Sequence, residues 1–174
     1  ELRHTYDRTR TVPSYLVSIE GKTASLYSTS ARIGGLLAGL SPSEVEALTN
    51  YGTAFGMVFQ IVDDLLDIIA TDEELGKPAG HDMEEGVYTL PVLLTLAAGG
   101  AASNELTDIL GKPLSSYERD KALSIVRSSG GIDAAIALAR TYVDAAEQAC
   151  DQLPNSAATM ALRATPAALL ASVG

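Results

Sequence analysis

The sequence predicts an all-α fold, and three observations carry that expectation. Apolar residues make up 47% of the 174 residues, aromatics only 5%, and the helix formers Ala and Leu are abundant. No stretch shows the sustained apolar–polar alternation of a half-buried strand. Helix start signals recur instead: Ser41-Pro42-Ser43-Glu44 and Ser115-Ser116-Tyr117-Glu118 both match the S-x-x-E capping box. The length suffices for one domain with a substantial core.

The elements follow in order. Residues 11–39 read as a first long helix, with Tyr15, Ile19, Leu26 and Ile33 recurring at helical spacing. Gly39 and Leu40 end it, Ser41 caps the next helix, and Pro42 suits its first position. That second helix is expected over 43–70. Within it Gly52 and Gly56, at i and i+4, predict close packing against another helix, because a helical glycine otherwise costs about 1 kcal/mol relative to alanine. Residues 71–86 are a polar loop punctuated by Gly and Pro. A helix is expected over 88–98 with Thr89 as its cap and Pro91 in its first turn, then a short one over 104–110 ended by Gly111-Lys112-Pro113. Ser115 opens a helix to Ser128, and Gly130-Gly131 separates it from an amphipathic helix over 132–152. Pro154 and Pro166 are expected to divide the remainder into two short helices.

The formal charge is −10, from 12 basic and 22 acidic residues. That balance argues against a nucleic-acid partner, which needs a basic patch. The single cysteine, Cys150, cannot form an internal disulfide, which fits a reducing, cytoplasmic setting. No apolar run reaches the ~18 residues of a transmembrane segment.

One cluster stands out chemically. Asp63, Asp64 and Asp67 follow the largely apolar run Gly56–Val62. On a helix, Asp63 and Asp67 share one face, and Asp64 and Asp67 are near neighbours. Their mutual repulsion, the desolvation beside apolar residues and the negative end of the helix dipole all oppose such placement. A divalent cation offsets these costs. Mg²⁺ in particular is held by one or two carboxylates with phosphate oxygens and waters completing its octahedron. The alternative is a solvated acidic face.

With Phe59-Gln60 just before and Gly76-Lys77-Pro78 just after, this cluster resembles the second aspartate-rich region of the trans-isoprenyl diphosphate synthases. Lys22-Thr23-Ala24 and the marker Thr89-Leu90-Pro91 extend the resemblance along the chain. It implies the C-terminal portion of the isoprenoid synthase helical bundle. It also implies that Asp63 binds Mg²⁺ directly, with Asp64 and Asp67 assisting and Asp82 holding metal-bound water from an outer shell. Lys22 and Lys77 would contact the allylic diphosphate, with Thr23 and Gln60 lining its site; Asp63, Lys22 and Lys77 are the implied catalytic residues. Val87 departs from the pattern, since many family members carry Lys there. His81 reads as a solvated loop residue.

The implied reaction is chain elongation: an allylic diphosphate ionises, isopentenyl diphosphate attacks the carbocation, and a proton is lost. The family uses two aspartate-rich motifs, and these 174 residues contain one. The expectation is therefore that 1–174 form the C-terminal part of a single domain whose N-terminal half is absent. Such a chain would not elongate prenyl substrates alone and would self-associate through exposed apolar faces. A class I terpene cyclase is an alternative, although its second metal motif is not seen. A non-catalytic subunit of a heteromeric prenyl synthase is another.

Overall fold

The computed structural model describes residues 4–71, 76 and 78–173. The described residues are helical, with no strand among them: α1 (Val12–Ile19), a π-helical turn (Glu20–Ala24), α2 (Ser25–Leu37), α3 (Pro42–Ile69), α4 (His81–Glu84), α5 (Leu90–Ala98), α6 (Gly100–Ile109), α7 (Ser116–Ser128), α8 (Gly131–Cys150), α9 (Ala157–Leu170) and a closing 3₁₀ turn (Ala171–Val173). No single helix among them is long and apolar enough to cross a membrane. The chain divides into two compact units, Glu1–Leu16 with Asp63–Ala135, and Val17–Val62 with Ile136–Gly174.

In the first unit, α5 is apolar on nearly every side, and Leu90, Pro91, Val92, Leu93 and Thr95 are all buried, as expected of a helix without a polar face. Gly131 lets α8 begin against it: a Cβ there would stand 2.3 Å from Thr95 Oγ1 and 2.5 Å from the Pro91 carbonyl oxygen. Thr95 in turn donates to the Pro91 carbonyl at 2.9 Å and pairs with the Ser129 hydroxyl at 2.8 Å. Thr89 precedes α5 in an extended conformation but makes no side-chain capping bond, so the expected threonine cap is corrected to an extended entry followed by proline. The capping box of α7 is complete, with Ser115 and Glu118 each accepting from the other's main chain.

In the second unit, α3 opens on the other capping box: the Ser41 N–H donates to Glu44 Oε2 at 2.7 Å and the Glu44 N–H to Ser41 Oγ at 3.4 Å. The core sets Tyr51, Ala54, Ala146, Ala149 and Cys150 together, with Phe55, Leu153 and Leu162 packed around them. Phe55 lies parallel to Tyr51, ring centroids 6.0 Å apart, and edge-on to Tyr27 at 5.2 Å.

Two expectations about helices are revised. The segment 11–39 is interrupted by the π turn, which adds a residue to one turn and shifts the phase of everything after it. Buried positions run Tyr15 and Ile19, then Ala24 and Gly35, while Leu26 is 66% exposed and Ile33 50% exposed. Pro166 does not separate two helices but lies inside α9. It removes the N–H that the Leu162 carbonyl would accept, and the Tyr51 hydroxyl donates to that carbonyl instead, at 2.9 Å.

Candidate functional site

The three aspartates occupy the last two turns of α3, in the first unit, and the structure gives each a different environment. Asp63 is exposed, whereas Asp64 and Asp67 are each only 4% exposed. A buried carboxylate is costly without hydrogen-bond donors. For Asp64 the donor is Tyr15 of α1, itself 2% exposed, whose hydroxyl donates to Asp64 Oδ2 at 2.5 Å. Burial, and after it the charge of Asp64 and the bond to it, push the phenol far above its ordinary range. Tyr15 is thus a fixed donor. The guanidinium of Arg10 lies 5.6 Å from the Tyr15 ring centroid and donates to the Tyr88 carbonyl at 3.5 Å. Arg10 is buried, and among the described residues its Nε has no hydrogen-bond partner.

Asp67 is held by the chain that returns after α3. Its carboxylate Oδ2 accepts the Asp82 N–H at 3.3 Å, and its main-chain carbonyl accepts the Gly80 N–H at 2.8 Å. Gly80 has φ of +73°, which this reversal requires, and a Cβ there would press on Leu123 at 3.0 Å. The structure therefore brings Asp67 and Asp82 together. Arg127 of α7 secures the helix end itself, donating from Nε to the Ile68 carbonyl at 2.7 Å and from Nη2 to the Ala70 carbonyl at 3.4 Å. Its charge sits where the helix dipole is negative. His81, expected in a solvated loop, instead opens α4, where it is half-buried and stands 3.5 Å from Glu85.

The second unit holds Lys22, Thr23 and Gln60. Here Gly52 and Gly56 act as expected. A Cβ on Gly52 would lie 2.6 Å from the Tyr27 carbonyl oxygen, and one on Gly56 would lie 2.5 Å from the Ala24 Cα. Without side chains, α3 approaches the π turn and the start of α2 backbone to backbone. That approach sets the Thr23 hydroxyl against Gln60, donating to Oε1 at 2.6 Å. Thr23 and Gln60 are half-buried and Lys22, in the same π turn, is exposed. Lys77 lies outside the described residues.

Among the described residues no three His, Cys, Asp or Glu side chains stand together as a metal site. The donor set nevertheless suits a hard divalent cation, because it offers carboxylate oxygens and Mg²⁺ uses only one or two of them with phosphate and water. Sequence reasoning missed Tyr15 as a partner of Asp64. The available signal was a tyrosine on the apolar stripe of a helix, since a buried phenol needs an acceptor.

Residues 1–126 match the Polyprenyl synthetase family. Nonaprenyl diphosphate synthase of Mycobacterium tuberculosis is 34% identical over 94% of this chain and 49% of its own length. Heptaprenyl diphosphate synthase component 2 of Bacillus subtilis is 32% identical over 94% of this chain and 47% of its own. The chain thus spans about half the length of the curated relatives it matches. Among solved structures, the polyprenyl synthase of Caulobacter crescentus CB15 complexed with calcium and isoprenyl diphosphate superposes with a TM-score of 0.90. It is 33% identical, with 97% of this chain and 52% of that chain covered. The chain belongs to the polyprenyl synthetase family, and its all-helical fold is that of the isoprenyl diphosphate synthases.

Proposed function

We propose that this chain supplies the metal and allylic-diphosphate side of a trans-prenyltransferase, an enzyme that condenses an allylic diphosphate with isopentenyl diphosphate. The observation that carries this reading is the graded environment of the aspartates. Asp63 faces solvent, while Asp64 and Asp67 are buried and accept bonds from Tyr15 and the Asp82 main chain. A merely solvated acidic face would leave all three exposed. The calcium and isoprenyl diphosphate of the Caulobacter complex support the same ligand chemistry.

In this reading Asp63 would hold Mg²⁺ directly, with the buried Asp64 and Asp67 assisting and Asp82 ordering metal-bound water. Bound there, the cation supplies charge stabilisation to the departing diphosphate. The family resemblance gives Lys22 and Lys77 as positive charge to the departing diphosphate. Thr23 and Gln60, already bonded to each other, present an oriented polar pair to the substrate. Metal-dependent binding of geranyl diphosphate to the 174-residue chain, measured by calorimetry, tests the assignment. We expect binding with Mg²⁺ and little without it; equal binding under both conditions would refute it.

Elongation requires more than these residues, because the sequence carries one aspartate-rich motif. The chain alone is expected to yield no longer product from geranyl diphosphate, isopentenyl diphosphate and Mg²⁺, and robust turnover would overturn that. A role as one component of a heteromeric synthase is the second reading, favoured by the name of the Bacillus relative. Leu26, Ile33, Leu36 and Leu37 are exposed on α2, which supports association with a further copy. A single buried cysteine fits a cytoplasmic location.

A further inference from the structure

We infer that Tyr6 is a positioning residue for Asp82, acting through Gly86: it tethers the far end of the single helical turn that carries Asp82. The inference rests on the proposed role of Asp82 in ordering metal-bound water.

The turn α4 has four residues, too few to hold a helical shape unaided, so its ends need ties to other elements. The near end is tied to α3, where the Gly80 N–H donates to the Asp67 carbonyl at 2.8 Å. The far end is tied to Tyr6. Its N–H donates to the Gly86 carbonyl at 2.8 Å, and the next amide, that of Val87, donates back to the Asp82 carbonyl at 2.8 Å. The Tyr6 ring packs on Gly86 so closely that an added Cβ there would stand 2.5 Å from Tyr6 Cδ1. Tyr6 has φ of +59°, the one positive value at a non-glycine among the described residues. A side chain this bulky keeps that conformation only where its surroundings over-determine it. The next alternate residues extend the tether: Arg8 donates to the Thr107 carbonyl at 2.6 Å and Arg10 to the Tyr88 carbonyl at 3.5 Å. The ion pair from Arg119 to Glu84, at 3.4 Å, adds little to α4, because the Glu84 side chain is 39% exposed. Tyr6 therefore governs where Asp82 stands.

The test uses the 174-residue chain with Mg²⁺ and inorganic diphosphate as the probe. Tyr6→Ala removes the ring from Gly86, and we expect the metal–diphosphate complex to bind about tenfold more weakly. Tyr6→Phe keeps the ring and the N–H and should restore wild-type binding. Adding Tyr6→Ala to Asp82→Asn should cost little more than Asp82→Asn alone, because Tyr6 acts through Asp82. A merely structural tyrosine would instead add its cost in full. Unchanged binding by folded Tyr6→Ala, or additive losses, overturns the inference while wild-type binding leaves the proposed function standing. Wild-type chain that binds no metal–diphosphate refutes the proposed function, and the role of Tyr6 with it. A second measurement needs no variant. If the tether strengthens ligand binding, the ligand strengthens the tether in return. Native-state hydrogen exchange of the wild type should therefore slow at the Tyr6 and Asp82 amides together when Mg²⁺ and diphosphate are added. The slowing should exceed that at Ala134, whose N–H donates to the Gly130 carbonyl in the same unit. A Tyr6 amide that slows no more than Ala134 when ligand binds also overturns the inference.

Discussion

The Tyr51 hydroxyl donates to the carbonyl of Leu162, the acceptor that Pro166 leaves without a helical donor. One side chain therefore repairs the helix that another interrupts, and the carbonyl it serves lies 111 residues from Tyr51 in sequence. Tyr51→Phe leaves that carbonyl without this donor and should destabilise the chain by about 1–3 kcal/mol. In a Pro166→Ala background the helix recovers its own N–H, so the same change should cost clearly less. Urea denaturation of the four variants measures the difference, and equal costs in both backgrounds would contradict the account. Burial, then the nearby Cys150, also raise the Tyr51 phenol to about 12. Because the folded pKa is raised, this contribution is intact below the unfolded value near 10 and is lost as pH rises through 12.

Gly56→Ala should destabilise the second unit although alanine is the better helix former. The added Cβ would lie 2.5 Å from the Ala24 Cα, a backbone atom that cannot swing aside. Overpacking of this kind costs about 1–3 kcal/mol, more than the roughly 1 kcal/mol gained in helix propensity. Thermal melts would show it, and a variant as stable as wild type would contradict the backbone contact. The same variant should separate Thr23 from Gln60.

These two cases show what the sequence made legible. Capping boxes at Ser41–Glu44 and Ser115–Glu118, and the need for close packing at Gly52 and Gly56, were readable because each depends on local spacing. The π turn at Glu20–Ala24 was not, because periodicity arguments assume a constant 3.6 residues per turn and no residue type marks the extra one. Leu26 and Ile33, at helical spacing from Tyr15, are therefore exposed rather than buried with it. Pro166 was misread because its compensating donor comes from a distant helix. At the site, the aspartates were visible as a cluster, but their different burial depends on Tyr15 and the Gly80–Asp82 return, both remote in sequence.

Acid should act on α7 through its capping box. The bond from Lys112, then those from the Ser115 main chain and side chain, hold Glu118 at about 2, below its ordinary 4.5. A depressed folded pKa means stability that is present above about 4.5 and lost as pH falls toward 2. Thermal midpoints of wild type and Glu118→Gln should therefore differ at pH 7 and converge near pH 2. A constant difference across that window would contradict the linkage.

Leu37 is 85% exposed and continues the apolar face of α2. Leu37→Glu should reduce self-association, read by light scattering as a lower average mass at equal concentration. A wild-type chain that is monomeric at all concentrations would contradict the proposed association.

The central claim is that Asp63 is the ligand through which this chain holds a divalent cation against a diphosphate. Calorimetric titration of Mg²⁺ and geranyl diphosphate into wild type, Asp63→Asn and Asp133→Asn tests it most directly, Asp133 being an exposed carboxylate in the first turn of α8. The account predicts that Asp63→Asn weakens metal-dependent binding by at least about tenfold, with its fold retained and Asp133→Asn unchanged. Binding by Asp63→Asn as tight as that of wild type would contradict it.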